Sequence, residues 1–531
     1  MIKLKRAVID FHSMFKVVIV AFHSKLPSSD FLSCFSMLKF FMPPILLFLL
    51  SVSSLIPGDA YSSPTQSFAS TVITQKGLDF LKDLFIDKAI SSVIPINLPQ
   101  SEKTVKIPFV GNVHMVLSNT TIYQLDVPSS NVKPGDSGVS IVASGTTCDL
   151  SMDWRYSYST WLVPAEISDE GQASVQVHGM EVRLTLGLEL QEETLKLFLL
   201  GCGCSVQDIS IKLDGGASWL YQGLVDTFEE QISSAVEKAI CKKLGKGILK
   251  ADSFLQALPK EVQVNDNASF DITFAEKPLL SNSSIALKIN GLFRERVKLP
   301  KPKYHFEKSP SASCTDPSKM FGITIDEEVF NSALALYYNA NFMQWSLNDV
   351  PNQPLLNTAG WRFIVPQLYK KYPNADMSLN IFLPSPPVVS ISEHQILATT
   401  NIDLIIDVVE GGEKIPVACI SLLVCAFSTA KVVGNNLVAN VGLNHFEISL
   451  KWSNIGSLHM DLIQPVVKTL VKTTLLPNAN AYLQKGLPLP IVHGFMLQNT
   501  ELVSSNSSIM VCTDMLWTKE RNPAYLHYPY R

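Results

Sequence analysis

Residues 217–248, beginning ASWLYQGLVDTFEEQISSAVEKAI, carry Leu220, Leu224, Phe228, Ile232, Val236 and Ile240 at four-residue intervals, with Asp226, Glu229, Glu230 and Glu237 opposite. The spacing predicts one long helix. At 3.6 residues per turn a four-residue row drifts by about 40° per step, so the apolar stripe winds around the helix. A winding stripe fits a curled partner, which means a strongly twisted sheet. Such a sheet either packs solid on the helix or leaves an apolar tube beside it.

The sheet pattern precedes the helix. Residues 105–213 alternate with period two, in HMVLSNTTIYQLDV, GVSIVASGTTCDLSMDW, ASVQVHGMEVRLTLGLEL and TLKLFLLGC. These read as long antiparallel strands joined by short Gly, Ser and Asp turns. Ahead of them, residues 72–90 predict an amphipathic helix with Leu78, Leu81 and Phe85 on its dry face and Lys76, Asp79, Asp83 and Asp87 on its wet one. The order then recurs: a helix over 326–345, strands over 377–452, and a helix over 458–476 with Ile463, Val467, Val471 and Leu475 in a four-residue row interrupted by Pro465. Two halves with one order of elements read as a duplicated module. The chain therefore divides into an extension and leader (1–60), a first barrel (61–270), a sheet segment with a Pro- and Lys-rich linker (271–310), a second barrel (311–512) and a polar tail (513–531). A length of 531 residues is too great for one core and agrees with at least two domains.

From Met37, MLKFFMPPILLFLLSVSSLIPGDAYSS has one Lys, an apolar run and small residues before a cut near Ala60, the layout of a secretory signal. The run is broken by Pro43 and Pro44 and is shorter than the ~20 residues of a spanning helix. Translation starting at Met37 accounts for the 36 residues ahead of it, with an organelle transit segment as the alternative. Sequons at Asn119, Asn267, Asn282 and Asn506 predict a glycosylated, extracellular chain, apoplastic if the source is a plant. Charged residues are only 17%, against about 25% typically. With a net charge of −4, a nucleic-acid partner is not expected.

A nucleophile elbow, P-loop, GxGxxG and HExxH are all absent from the sequence, and Cys202 and Cys204 lack the second pair that a zinc site needs. Neither an enzyme nor a metal or cofactor is expected. Cys202 or Cys204 reads instead as half of a disulfide. Pairing Cys204 with Cys241 would close about 37 residues and contribute roughly 3 to 4 kcal/mol on the chain-entropy model; Cys148 is the competing partner. A tube beside the winding helix would hold acyl chains, and one C16 chain would gain on the order of 12 kcal/mol at ~0.8 per CH₂ before entropy costs.

ITQKGLDF (73–80), WSNIGS (452–457) and LPNANAYLQKGLPLP (476–490) resemble the bactericidal/permeability-increasing and lipopolysaccharide-binding proteins, and VASGTTCDLSMDWRYSYSTW resembles their plant branch. The resemblance implies an α+β fold of two pseudo-symmetric tubular lipid-binding barrels, each a twisted antiparallel sheet wrapped on a long helix, joined by a central sheet into a boomerang. It implies a monomer with an apolar phospholipid pocket in each barrel, and a bacterial or membrane surface carrying phospholipid or lipopolysaccharide as partner. Pocket candidates are Leu78, Leu81, Phe85, Leu220, Leu224, Phe228, Val467 and Val471. The family's strand-to-helix disulfide, with Trp219 and Cys241 at the expected spacing, makes Cys204–Cys241 the first choice, ahead of Cys148 with Cys202 or Cys204. One departure concerns charge. Residues 61–260 hold 16 Lys plus Arg against 22 Asp plus Glu, a net of −6, whereas animal members resemble one another in a basic first barrel. Lys88, Lys103 and Lys106 remain as headgroup candidates. Two basic stretches could substitute: Lys238, Lys242, Lys243, Lys246 and Lys250, and Arg294, Arg296, Lys298, Lys301 and Lys303. Recognition of lipopolysaccharide in defence is the expected role, with an intracellular lipid-transfer module or a lipid hydrolase as alternatives.

Overall fold

The computed structural model describes residues 67–518 apart from 108–110, 160–164, 215–227, 266–267, 296–313, 315–317, 348–355, 490 and 492–493. The leader, with its Met37 start and its cut near Ala60, lies outside the described residues, as do the linker 297–310, Leu220, Leu224 and Asn267. The main helices are Gln75–Val93 (α1), Glu229–Gln256 (α2), Glu327–Asn339 (α3) and Met460–Leu470 (α4), the last continued by a π turn and the helix Leu476–Leu483.

Each half starts on a shared sheet. Strand Ala69–Thr74 runs into α1 and strand Phe321–Asp326 into α3, and the two strands pair antiparallel, Ala69 against Ile325 and Ile73 against Phe321, as a two-fold relation between halves requires. The last residue of each strand caps its helix: Thr74 Oγ1 accepts from the Gly77 amide, and the Asp326 carboxylate from the Glu328 amide. This corrects the predicted helix over 72–90, whose first three residues are strand. Periodicity could not separate β-branched Val72-Ile73-Thr74 from a first helical turn. In ITQKGLDF, Gly77 lets α1 lie against the other half, since a Cβ there would sit 2.3 Å from the Met320 carbonyl oxygen.

The six-stranded central sheet runs Leu279–Leu280, Ser284–Ile289, Ala69–Thr74, Phe321–Asp326, Ser508–Trp517, Phe495–Ser505. Strand Ser508–Trp517 carries through the expected boundary at 512. Burial explains the shift: Ile509 to Thr513 are all buried, and a polar tail cannot begin inside a core strand.

The first barrel is an eight-stranded antiparallel sheet dominated by the strands Gly111–Asp126, Gly138–Tyr158, Ile167–Gln191 and Thr194–Ser205. It curls over α2, whose Ile232, Val236 and Ile240 are buried in the stripe that the sequence predicts, with Ile248 buried beyond the predicted row. At ~1.5–3 kcal/mol each, those four side chains contribute roughly 6 to 12 kcal/mol of gross burial energy. The described part of the helix runs from Glu229 past Ile248 to Gln256, the expected turns over 217–227 lying outside the described residues; near its end Asp252 accepts from the Leu197 amide and Gln256 accepts from Thr194. The second barrel is a seven-stranded sheet around α4, with Ile463, Val467, Leu470 and Val471 in its core. Trp345, expected in the preceding helix, belongs to strand Gln344–Leu347, because α3 ends at Asn339 and Asn341 turns the chain with φ +59°.

Candidate functional site

Between α1, α2 and the first sheet lies a recess. Phe85, Ile86, Ala89, Ile90 and Val93 of α1 form one wall, and Ile240 and Leu244 of α2 form the facing one. The floor is Ile141, Ala143, Thr146, Val182 and Leu184, and Leu125 and Val127 complete the lining. The space, open mouth included, is about 650 Å³, of which the centre of a water-sized molecule can occupy about 80 Å³. It is a narrow slot. Among the described residues its lining holds no charged side chain, and Thr146 is the one residue there with a polar side chain. A lining of branched hydrocarbon repels water and ions and accepts methylene chains.

Phe85 is the sequence candidate that lines this slot. Leu78 is buried beside Val132, Val139 and Ile285, Leu81 is half-buried on α1, and Phe228 is fully buried at the head of α2. Val467 and Val471 pack in the second barrel's core. The residues that sequence reading missed are on α1's last turns and on the floor. Ala89 is in the dry face but too small to attract notice, and Thr146 is polar. The signal for Thr146 was Gly145, which interrupts the alternation in VASGTTCDL.

The Lys103 ammonium lies 5.9 Å from the Phe228 ring, Lys106 shares the exposed strand Ser101–Ile107 with it, and Lys88 lies 5.7 Å from the Trp517 ring of the central sheet. Of the second basic stretch, Arg294 is paired with the buried Asp271 at 2.6 Å, and the other four members lie outside the described residues. The first stretch is a surface row: Lys238, Lys242, Lys246 and Lys250 are exposed on α2, with Leu249 and Phe254, 66% and 59% exposed, beside its C-terminal end. Asn119, Asn282 and Asn506 are exposed at turns or bulges.

The strand-to-helix disulfide is Cys202–Cys241, with Cα atoms 5.8 Å apart, and this corrects the pairing Cys204–Cys241. Cys202 and Cys204 are two apart on strand Thr194–Ser205, so they share a face ~7 Å apart along it. The height at which α2 crosses the strand selects between them. Cys204 and Cys148 stay as free thiols that pack in the first barrel's core, and neither alternative involving Cys148 forms. Burial pushes both thiols up to about 12, with added repulsion from Glu237 on Cys204 and from Cys204 and Asp149 on Cys148. A second disulfide, Cys314–Cys512, joins the end of the linker to the central sheet.

Two family models match the chain, the N-terminal domain of the LBP / BPI / CETP family over residues 77–258 and its C-terminal domain over 262–516. The chain is 57% identical over 454 residues to a BPI/LBP family protein of Arabidopsis thaliana, covering 85% of this chain and 93% of that one. It is 23% identical over 445 residues to the lipopolysaccharide-binding protein of Homo sapiens, covering 81% and 89%. Among solved structures, that of a lipopolysaccharide binding protein superposes with a TM-score of 0.57 at 18% identity, covering 86% of this chain and all of the other.

Proposed function

Because the chain belongs to the LBP / BPI / CETP family, we propose that it is a secreted, glycosylated lipid-binding protein. It holds acyl chains of phospholipid or lipopolysaccharide in the first barrel and recognises bacterial lipopolysaccharide in defence, by binding without turnover. The observation that carries this reading is the slot between α1 and α2, lined by hydrocarbon except at Thr146. At ~0.8 kcal/mol per methylene, such a lining retains an acyl chain through extraction from water. The test is lipid mass spectrometry on the protein secreted by a host cell and purified without detergent. At least one phospholipid per chain, displaced by lipopolysaccharide, is the expected result. A chain that carries no lipid and cannot be loaded refutes the proposal.

With a first barrel of net −6, capture of an anionic surface rests on local cations. The α2 row supplies them, and the apolar side chains of Leu249 and Phe254 fit an interface of headgroups and acyl chains. Neutralising two members, Lys242→Gln with Lys246→Gln, is expected to weaken cosedimentation with phosphatidylglycerol vesicles about thirtyfold at low salt, at ~1 kcal/mol per lysine. The difference shrinks as salt is raised, and the lipid content of the barrel does not change. Equal sedimentation of variant and wild type at low salt would remove α2 from the docking surface.

A further inference from the structure

The α1 wall of the slot runs from Phe85 to Val93, about 12 Å at 1.5 Å per residue. Spread over that length, the 80 Å³ open to the centre of a water-sized group is a track of about 7 Å² in section. Such a track is about 3 Å across, whereas the axes of two packed hydrocarbon chains stand at least about 4 Å apart. The section passes one chain in single file and excludes a second beside it. Both walls are held at that spacing. Cys202 pairs across the sheet with the floor residue Leu184, and its disulfide partner Cys241 follows the wall residue Ile240 on α2, so the bond ties floor to wall at the slot itself. On the opposite wall, Gln75 and Lys82 of α1 donate to the carbonyl oxygens of Val132 and Ser130 on strand Ser129–Gly135, which pairs with the floor strand Gly138–Tyr158. A close-packed and cross-linked frame resists the separation that a second chain requires.

We propose that the slot admits a single acyl chain, so that its ligand class is the single-chain lipid, lysophospholipid or free fatty acid, and that a lipid with more chains inserts only one. This deepens the proposed lipid-holding function and rests on it. Among the described residues the lining holds no charged side chain, so the slot reads the thickness of the hydrocarbon rather than the headgroup.

The experiment titrates delipidated protein with palmitoyl lysophosphatidylcholine and with dioctanoyl phosphatidylcholine, each below its micellar concentration. One sixteen-carbon chain and two eight-carbon chains carry about the same hydrocarbon, so transfer from water alone would give them similar affinity. Wild type is expected to hold the single-chain lipid more than about tenfold more tightly, the worth of two methylenes left in water. Leu244→Ala on α2 and Ile86→Ala on the facing wall each widen the track. Each is expected to tighten binding of the two-chain lipid about fourfold for every further methylene admitted, which shrinks the preference, and either variant suffices if the other does not fold. Equal wild-type affinity for the two lipids overturns the single-chain slot and leaves lipid holding intact, whereas a wild type that binds neither overturns both. A preference that neither folded variant reduces assigns the selection to another part of the molecule and also overturns it. A parallel arm with palmitate identifies the source. Binding tighter than that of lysophosphatidylcholine assigns the chain to free fatty acid, and weaker binding assigns it to lysophospholipid; each supports the single-chain slot.

Discussion

Phenylalanine at both Ala89 and Ala143 is expected to empty the first barrel of lipid. The two alanines line the same slot from α1 and from the sheet floor, and phenylalanine rings in their place would fill space that an acyl chain would take. Excluding even four methylenes of an acyl chain removes about 3 kcal/mol at ~0.8 each, more than a hundredfold in Kd. The added rings replace empty space, so the change differs from ordinary overpacking and the melting temperature is expected to hold. Quantitative lipid extraction reads the result: lipid absent from the double variant and reduced in each single one. Undiminished lipid in a folded double variant would place the bound chains elsewhere in the molecule.

The disulfides carry the largest stability effects. Cys314–Cys512 spans 198 residues and Cys202–Cys241 spans 39, for which chain entropy assigns about 5 and about 4 kcal/mol. Cys512→Ser and Cys241→Ser should lower the guanidinium midpoint by corresponding amounts. Cys204→Ser, which breaks no bond, should cost less than about 1 kcal/mol. The same comparison decides the pairing, because a Cys204–Cys241 bond would make Cys204→Ser as costly as Cys241→Ser. Peptide mapping under non-reducing conditions gives an independent reading.

The fold was largely legible because its elements differ in period. A four-residue row that buries Ile232, Val236 and Ile240 can only be a helix lying in a curled sheet, and long alternating runs can only be strands with one dry face. Motif words added the family, and with it two barrels and a central sheet. Element ends were less legible. Val72 to Thr74 satisfy both periods, and what makes them strand is their antiparallel partner at Gly322 and Phe321, which lies about half the chain away.

The lining of the slot was legible only in part by residue. Phe85 was within reach because α1's dry face is a sequence property; the slot's other residues depend on where that helix stands above the sheet. Lys88 and Lys103 look equivalent along the chain, yet one lies over Trp517 and the other over Phe228.

Periodicity and local words by themselves determined the order of elements, the buried stripe of α2, the two-barrel family fold and the apolar kind of ligand, because each depends on residue types at short spacings. Only the tertiary structure decided that Cys202 rather than Cys204 meets Cys241, and that Ala89 and Ala143 line one slot. Both outcomes depend on the height and angle at which elements far apart in sequence cross. Spacing along one strand or helix says which residues share a face, and says nothing of which of them lies opposite a partner.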